Sequence, residues 1–170
     1  MEFAAVVVML IVLIFGAIDF CRAIYMRQLL VNLSRETANL EARGSGSTTQ
    51  DIMSNAMAAA ITEALPLTLG SSNGMVIVTA VTLSNTNNTP IISYQYSAGS
   101  LAGAASVIGG PAGNAPKQMP NTGSISILPA FRTVYVAEIY YKFVPITPVG
   151  NFIKAVLPTQ FYDAAYFSAL

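Results

Sequence analysis

Residues 3–18 read FAAVVVMLIVLIFGAI, sixteen positions without a charged side chain or a proline. Glu2 stands before the run and Asp19 closes it. As an α-helix, sixteen residues rise about 24 Å, a little less than the roughly 30 Å hydrocarbon layer of a bilayer. Phe20 and Cys21 carry the apolar character past Asp19. The run is hydrophobic on every side, which suits lipid or the centre of a helical bundle. We therefore expect a helix that spans a membrane over about 3–21, slightly short, with a carboxylate near each end. A cleavable signal peptide would need a basic start and a small-x-small cleavage site, and neither is present. A lipoprotein signal would place small residues before Cys21, where Ile18, Asp19 and Phe20 stand. The core helix of a soluble protein remains the competing reading.

The helix is expected to continue beyond the span. Between Cys21 and Arg43 there is no proline or glycine. Met26, Leu30, Leu33, Thr37 and Leu40 recur at spacings of four, three, four and three, the stripe of an amphipathic helix. Arg22, Arg27, Arg35, Glu36, Glu41 and Arg43 are assigned to its wet faces. Gly44 is a plausible C-cap and GSGSTT the turn after it. A helix from Glu2 to Arg43 would be about 63 Å long. A second helix follows, with Thr48 and Asp51 at capping-box spacing and an apolar stripe of Met53, Met57, Ala60 and Ala64. Leu65-Pro66 ends it.

Strands account for most of the remainder. Residues 75–83, MVIVTAVTL, are rich in β-branched side chains, and 91–97 alternate in part. Residues 98–124 hold many of the glycines and read as a long surface loop. A short strand is expected over 124–128 and a last one over 161–170. Residues 132–144, RTVYVAEIYYKFV, form the clearest strand. Thr133, Tyr135, Ala137, Ile139, Tyr141 and Phe143 share its more apolar face, which should meet the helix. Val134, Val136, Glu138, Tyr140 and Lys142 share the other. Pro145 and Pro148 bracket a turn. The fold class is α+β: a long N-terminal helix packed on a small C-terminal antiparallel β-sheet domain, divided as 1–43 and 44–170.

Composition narrows the functional classes. The 170 residues are 54% hydrophobic and 9% charged, with eight basic and eight acidic side chains. Nucleic-acid binders carry a basic excess, so no nucleic-acid partner is expected. Histidine is absent, which removes imidazole bases and His-ligated metal sites. A lone cysteine, Cys21, excludes a disulfide within the chain. Its simplest role is packing, with an intermolecular disulfide or acylation as alternatives. Gly70-Ser71-Ser72-Asn73-Gly74 matches the pattern of a nucleophile elbow, but that chemistry needs a base the chain lacks, and a strand rather than a helix follows. Asn87-Asn88-Thr89 is a glycosylation sequon followed by Pro90. We expect no enzyme, no cofactor and no catalytic or metal-binding residues. Asp19 and Arg22 can pair locally or between subunits.

The phrase Glu2-Phe3-Ala4 through Phe15-Gly16-Ala17-Ile18-Asp19-Phe20-Cys21-Arg22-Ala23 resembles the TadE-like family, the minor pilins or pseudopilins of tight-adherence (Tad, type IVc) pilus systems. That family opens with an acidic-aromatic pair and an apolar run, then a phrase like FG-x-x-D-F-G-R-A. Glu2, Phe3, Gly16, Asp19, Phe20, Arg22 and Ala23 fit, whereas Cys21 stands where glycine is usual. Ser34-Arg35-Glu36-Thr37-Ala38 is similar to the family's A-R-E-G-A segment. Near the C-terminus, residues 136–149 followed by Leu157 resemble its closing strand and P-x-T-P turn, with Pro145, Thr147, Pro148 and Gly150 in place.

The resemblance implies a pilin-like fold and a structural subunit. Such a subunit is anchored in the bacterial inner membrane with its head outside the cytoplasm, and it reaches the cell surface once assembled. Its partners would be the membrane and other pilin subunits, in a homo- or hetero-oligomeric filament or initiating complex. Glu2, Phe3, Gly16, Asp19, Phe20 and Arg22 would serve assembly, Glu2 by pairing with a neighbour's N-terminal amine. It also implies a basic leader, removed by a prepilin peptidase. A lost leader would reconcile this orientation with Arg22 and Arg27, which by the positive-inside rule alone would hold the C-terminal part in the cytoplasm. Two alternatives stay open: the major subunit of an extracellular filament, and a monomeric membrane-anchored binding domain.

Overall fold

The structure is a computed structural model that describes residues 2–44, 48–84, 89–118, 133–150 and 158–168. The expected strand at 124–128, most of the sequon, Leu157 and the side chains of Glu2, Ala4 and Ala5 lie outside the described residues. Six elements follow one another: α1 Glu2–Arg43, α2 Thr49–Glu63, β1 Gly74–Leu83, β2 Pro90–Gly99, β3 Val134–Lys142 and β4 Gln160–Ser168. The strands form one sheet in the order β2-β1-β3-β4, every neighbour antiparallel. The α+β expectation holds, with a long apolar helix against a small antiparallel sheet.

One face of the sheet carries the helices. α1 lies over β3 and β4, while α2 packs on α1 and over β1 and β2. Tyr135, Ile139 and Phe143 of the expected apolar face share a core with Ala23, Met26, Leu30 and Leu33 of α1 and Met53 and Ala60 of α2. Ala38, Ala137 and Ala165 meet in a small cluster of their own, where short side chains let α1 approach the sheet closely. The Ser34 hydroxyl donates to Asp163 on β4, a polar tie beside that contact. Thr48 caps α2 as its spacing suggests: its Oγ1 accepts from the Asp51 N–H at 3.2 Å.

The burial pattern of α1 corrects the sequence assignment at its C-terminal end. Leu40 is exposed, and Glu41, placed on a wet face, is fully buried. The buried stripe runs Ala23, Met26, Leu30, Leu33, Ser34, Thr37, Ala38 and Glu41. At 3.6 residues per turn the position that follows Thr37 on the same face is Glu41, not Leu40. Hydrophobicity favoured the wrong neighbour.

The other face is covered as well. Residues 100–118 form a loop, as expected, but it caps the sheet instead of simply skirting the surface. Ile108 is fully buried with Val81, Ile92, Val134 and Val136, and Leu101 packs with Ile77 and Tyr140. The loop also engages the outer strand β2: the Ile92 N–H donates to Asn114 O at 2.9 Å, and Gly113 N–H returns a bond to Ile92 O at 2.7 Å. Otherwise unpaired edge groups are thereby satisfied. Covered on both faces, β3 is buried from Val134 to Tyr140.

Candidate functional site

The first half of α1 stands free of this core. Val6, Leu10, Leu13 and Ile14 are exposed, and only 11% of the helix's most apolar 18-residue window is buried. A helix buried in its own globule would hide that surface. The exposed rod therefore fits membrane anchoring, by length, composition and the side chains it leaves bare.

Where the rod meets the head, Asp19 is fully buried. The Ile146 N–H donates to its Oδ1 at 3.1 Å, and the Thr147 N–H and hydroxyl donate to its Oδ2 at 3.2 and 2.5 Å. Arg22, three residues on, pairs with Asp19 at 3.6 Å and lies over the Phe143 ring, 5.8 Å from its centroid. Turn 145–150 makes this possible. Gly150 N–H donates to Thr147 O at 3.0 Å and closes the turn. A Cβ on Gly150 would sit 2.6 Å from the Pro145 Cβ, so only glycine fits. Arg22 thus makes the local one of its two possible pairings with Asp19, while the partners Ile146 and Thr147 lie in the other stretch that carried the family resemblance. The bond between the two stretches is what sequence reading missed. A carboxylate that closes an apolar run and cannot remain bare was the available signal.

The remaining candidates lie along the rod. Phe3 and Phe20 are exposed, and a Cβ on Gly16 would meet nothing within 4 Å, so that face of the helix is open to a neighbour. Cys21 is exposed.

Two buried glutamates were not singled out. Glu138 of β3 is fully buried under the 100–118 loop. It accepts from the Ser106 hydroxyl, the Val107 N–H at 2.8 Å and the Tyr162 hydroxyl at 3.1 Å. Burial, then the charge of Glu138, pushes the Tyr140 hydroxyl up to about 12. Glu41 has no such company: neither carboxylate oxygen has a hydrogen-bond partner. Burial raises its pKa to about 9, so it is held as the neutral acid near neutrality. Gly70–Gly74 is a turn leading into β1, with the Ser71 hydroxyl donating to Thr68 O at 2.7 Å. The serine at the motif's nucleophile position, Ser72, is exposed in that turn, and the strand β1, not a helix, follows it. Among the described residues no group of three or more His, Cys, Asp or Glu could hold a metal.

A largely bare apolar helix rooted in a small α+β head defines a protein with a membrane-type N-terminal helix. Its residues 1–39 match the family model described as TadE-like protein, the pilus-associated structural family that the N-terminal phrase resembles. The match ends inside α1, so the sheet and turn 145–150 lie beyond it. No curated protein and no solved structure matches the chain.

Proposed function

We propose that this chain is a structural, pilin-like subunit: a TadE-like minor pilin. It is held in the inner membrane by the first half of α1 and assembles through that helix into a Tad (type IVc) pilus or its initiating complex. The observation that carries this reading is the bare apolar rod, within the segment matched by the TadE-like family. In lipid, helices associate through close fit and small residues rather than through hydrophobicity. Gly16 and Ala17 supply small positions, with Phe3 and Phe20 exposed on the rod. Extraction from the bilayer would exchange lipid contacts for contacts with neighbouring rods. The head would then remain outside the cytoplasm and decorate the assembly.

The test is genetic and direct. Deleting the chain from its host should abolish or sharply reduce Tad pili, while the chain itself is scarce in sheared filaments. Complementation with Glu2→Ala should restore membrane insertion but not piliation. Unchanged piliation after deletion would overturn the proposal, and filaments made mainly of this chain would make it the major subunit.

A further inference from the structure

The uncharged run 3–18 is too short for its task. Its rise of about 24 Å falls short of the roughly 30 Å hydrocarbon layer. Bare charges at Asp19 and Arg22 would end the span there, because an unpaired charge in lipid is costly. Asp19 is fully hydrogen-bonded, and Arg22 is ion-paired with it, although the buried Arg22 Nη1 has no hydrogen-bond partner among the described residues. Asp19 is enclosed by the amides of Ile146 and Thr147 and by the Thr147 hydroxyl, and Arg22 is half-buried between Asp19 and the Phe143 ring. Past them, α1 again shows apolar side chains outward: Phe20, Ile24 and Tyr25 are exposed. The next charge along the helix is Arg27, which is exposed. Counted this way, the lipid-compatible stretch covers 3–26, about 36 Å of helix, enough to span with some tilt.

The enclosing turn is itself apolar on its outside. Ile146 is 67% exposed and Val144 49% exposed, although the Ile146 N–H bonds the fully buried Asp19 carboxylate. Ile146 is bonded through its own N–H to Asp19, so its backbone lies close to the depth of Asp19. Lys142 is exposed at the base of the turn, where a long cationic side chain can reach the headgroups.

We propose that turn 143–150 is a membrane foot of the head. It hydrogen-bonds Asp19 and shields Arg22 with the Phe143 ring, extends the hydrophobic span by about two helical turns, and rests Val144 and Ile146 in the upper acyl and headgroup region of a phospholipid bilayer. This rests on the anchoring reading above and adds a second lipid contact, made by the sheet domain. The foot would fix the height and angle of the head on the membrane before the subunit leaves it.

The full chain contains no tryptophan, so single-probe variants can report depth. Ile146→Trp, Val144→Trp and, as a control in the rod, Leu10→Trp would each be placed in phosphatidylcholine vesicles at low protein density. Lipids brominated at shallow or deep acyl positions, and aqueous iodide, would serve as quenchers. Leu10→Trp should lose most of its emission to deep bromines. Ile146→Trp and Val144→Trp should be blue-shifted, lose most of their emission to shallow bromines and resist iodide. Adding Asp19→Ala to Ile146→Trp should return its emission toward that of a water-exposed indole. If both turn probes are open to iodide and unquenched by lipid while Leu10→Trp is quenched, the foot is overturned and the anchor stands. If Leu10→Trp also escapes the bromines, both fall. Shielding of the turn probes only at high protein density would overturn the foot in favour of a second copy of the chain.

Discussion

The two halves of α1 are one continuous helix with opposite surroundings. Most described side chains from Phe3 to Ile18 are exposed, whereas the second half buries a regular stripe from Ala23 to Glu41 against its own sheet. Both halves follow the same helical geometry; they differ in what occupies their apolar faces. Among the described residues the lower surface packs on no other element along most of its length; in the proposed assembly lipid covers it first and neighbouring rods later. The head in turn depends on the upper half, which supplies Met26, Leu30 and Leu33 to its core.

The largest expected effect follows from that dependence. A fragment of residues 44–170 loses every α1 side chain in the core and should not fold. Its amide NMR spectrum should be collapsed and its unfolding non-cooperative. A well-dispersed spectrum would make α1 an accessory to the head and would break the contrast.

Point substitutions test the same contrast more finely. Leu30 is fully buried, so Leu30→Ala should cost about 2–5 kcal/mol in the unfolding of the head. Leu10→Ala makes the same chemical change in the bare half and should alter head stability by no more than about 0.5 kcal/mol. Chemical unfolding of each variant in detergent, followed by near-ultraviolet circular dichroism, would separate them.

Glu41 is the polar exception within the buried stripe. Its pKa is about 9 in the folded chain and about 4.5 when unfolded. The folded state therefore holds the proton that the unfolded state releases. The stability linked to Glu41 is complete below about pH 4.5 and declines as pH rises toward about 9, by at most about 1.4 kcal/mol per pH unit. Its position in the last turn of α1, where carbonyls face out, also disfavours a negative charge. Glu41→Gln should match the parent near pH 4, exceed it increasingly up to pH 9 and flatten the profile between. Equal slopes in parent and variant would mean that Glu41 has found a partner or water.

Much of this plan was legible from periodicity. The run 3–18, the 3–4 spacing after Cys21 and the alternation in 132–144 specified the helix, the sheet and the face on which they meet. These signals are local and repeat many times, so single exceptions do not obscure them. Leu40 and Glu41 show the limit: with two adjacent candidates for the next buried position, side-chain type pointed one way and helical phase the other. The second sheet face was illegible for a different reason. Its cover is the irregular loop 100–118, whose anchoring side chains Leu101 and Ile108 follow no period. The bond from Asp19 to Thr147 links positions 128 residues apart, and no local pattern encodes such a pair.

That bond gives the smallest and most local prediction, at the junction of the two halves. Thr147→Val keeps the shape of the side chain and both amide donors to Asp19 but removes the hydroxyl donor. One charge-assisted bond out of three is lost, with an expected cost of about 1 kcal/mol. Overall stability would barely register the change, so the sensitive measurement is amide hydrogen exchange. Exchange at Ile146 and Thr147 should accelerate about fivefold, the factor equivalent to 1 kcal/mol, if the turn opens independently of the sheet. Exchange at Val136 and Ile139 in β3 should not change. Thr147→Ser retains the hydroxyl and should restore slow exchange. If Thr147→Val instead accelerates exchange throughout β3, the turn is a cooperative part of the head. Asp19 would then be one of the supports of the fold, and the junction would belong to the upper half of α1 rather than forming a separate fastening between the two.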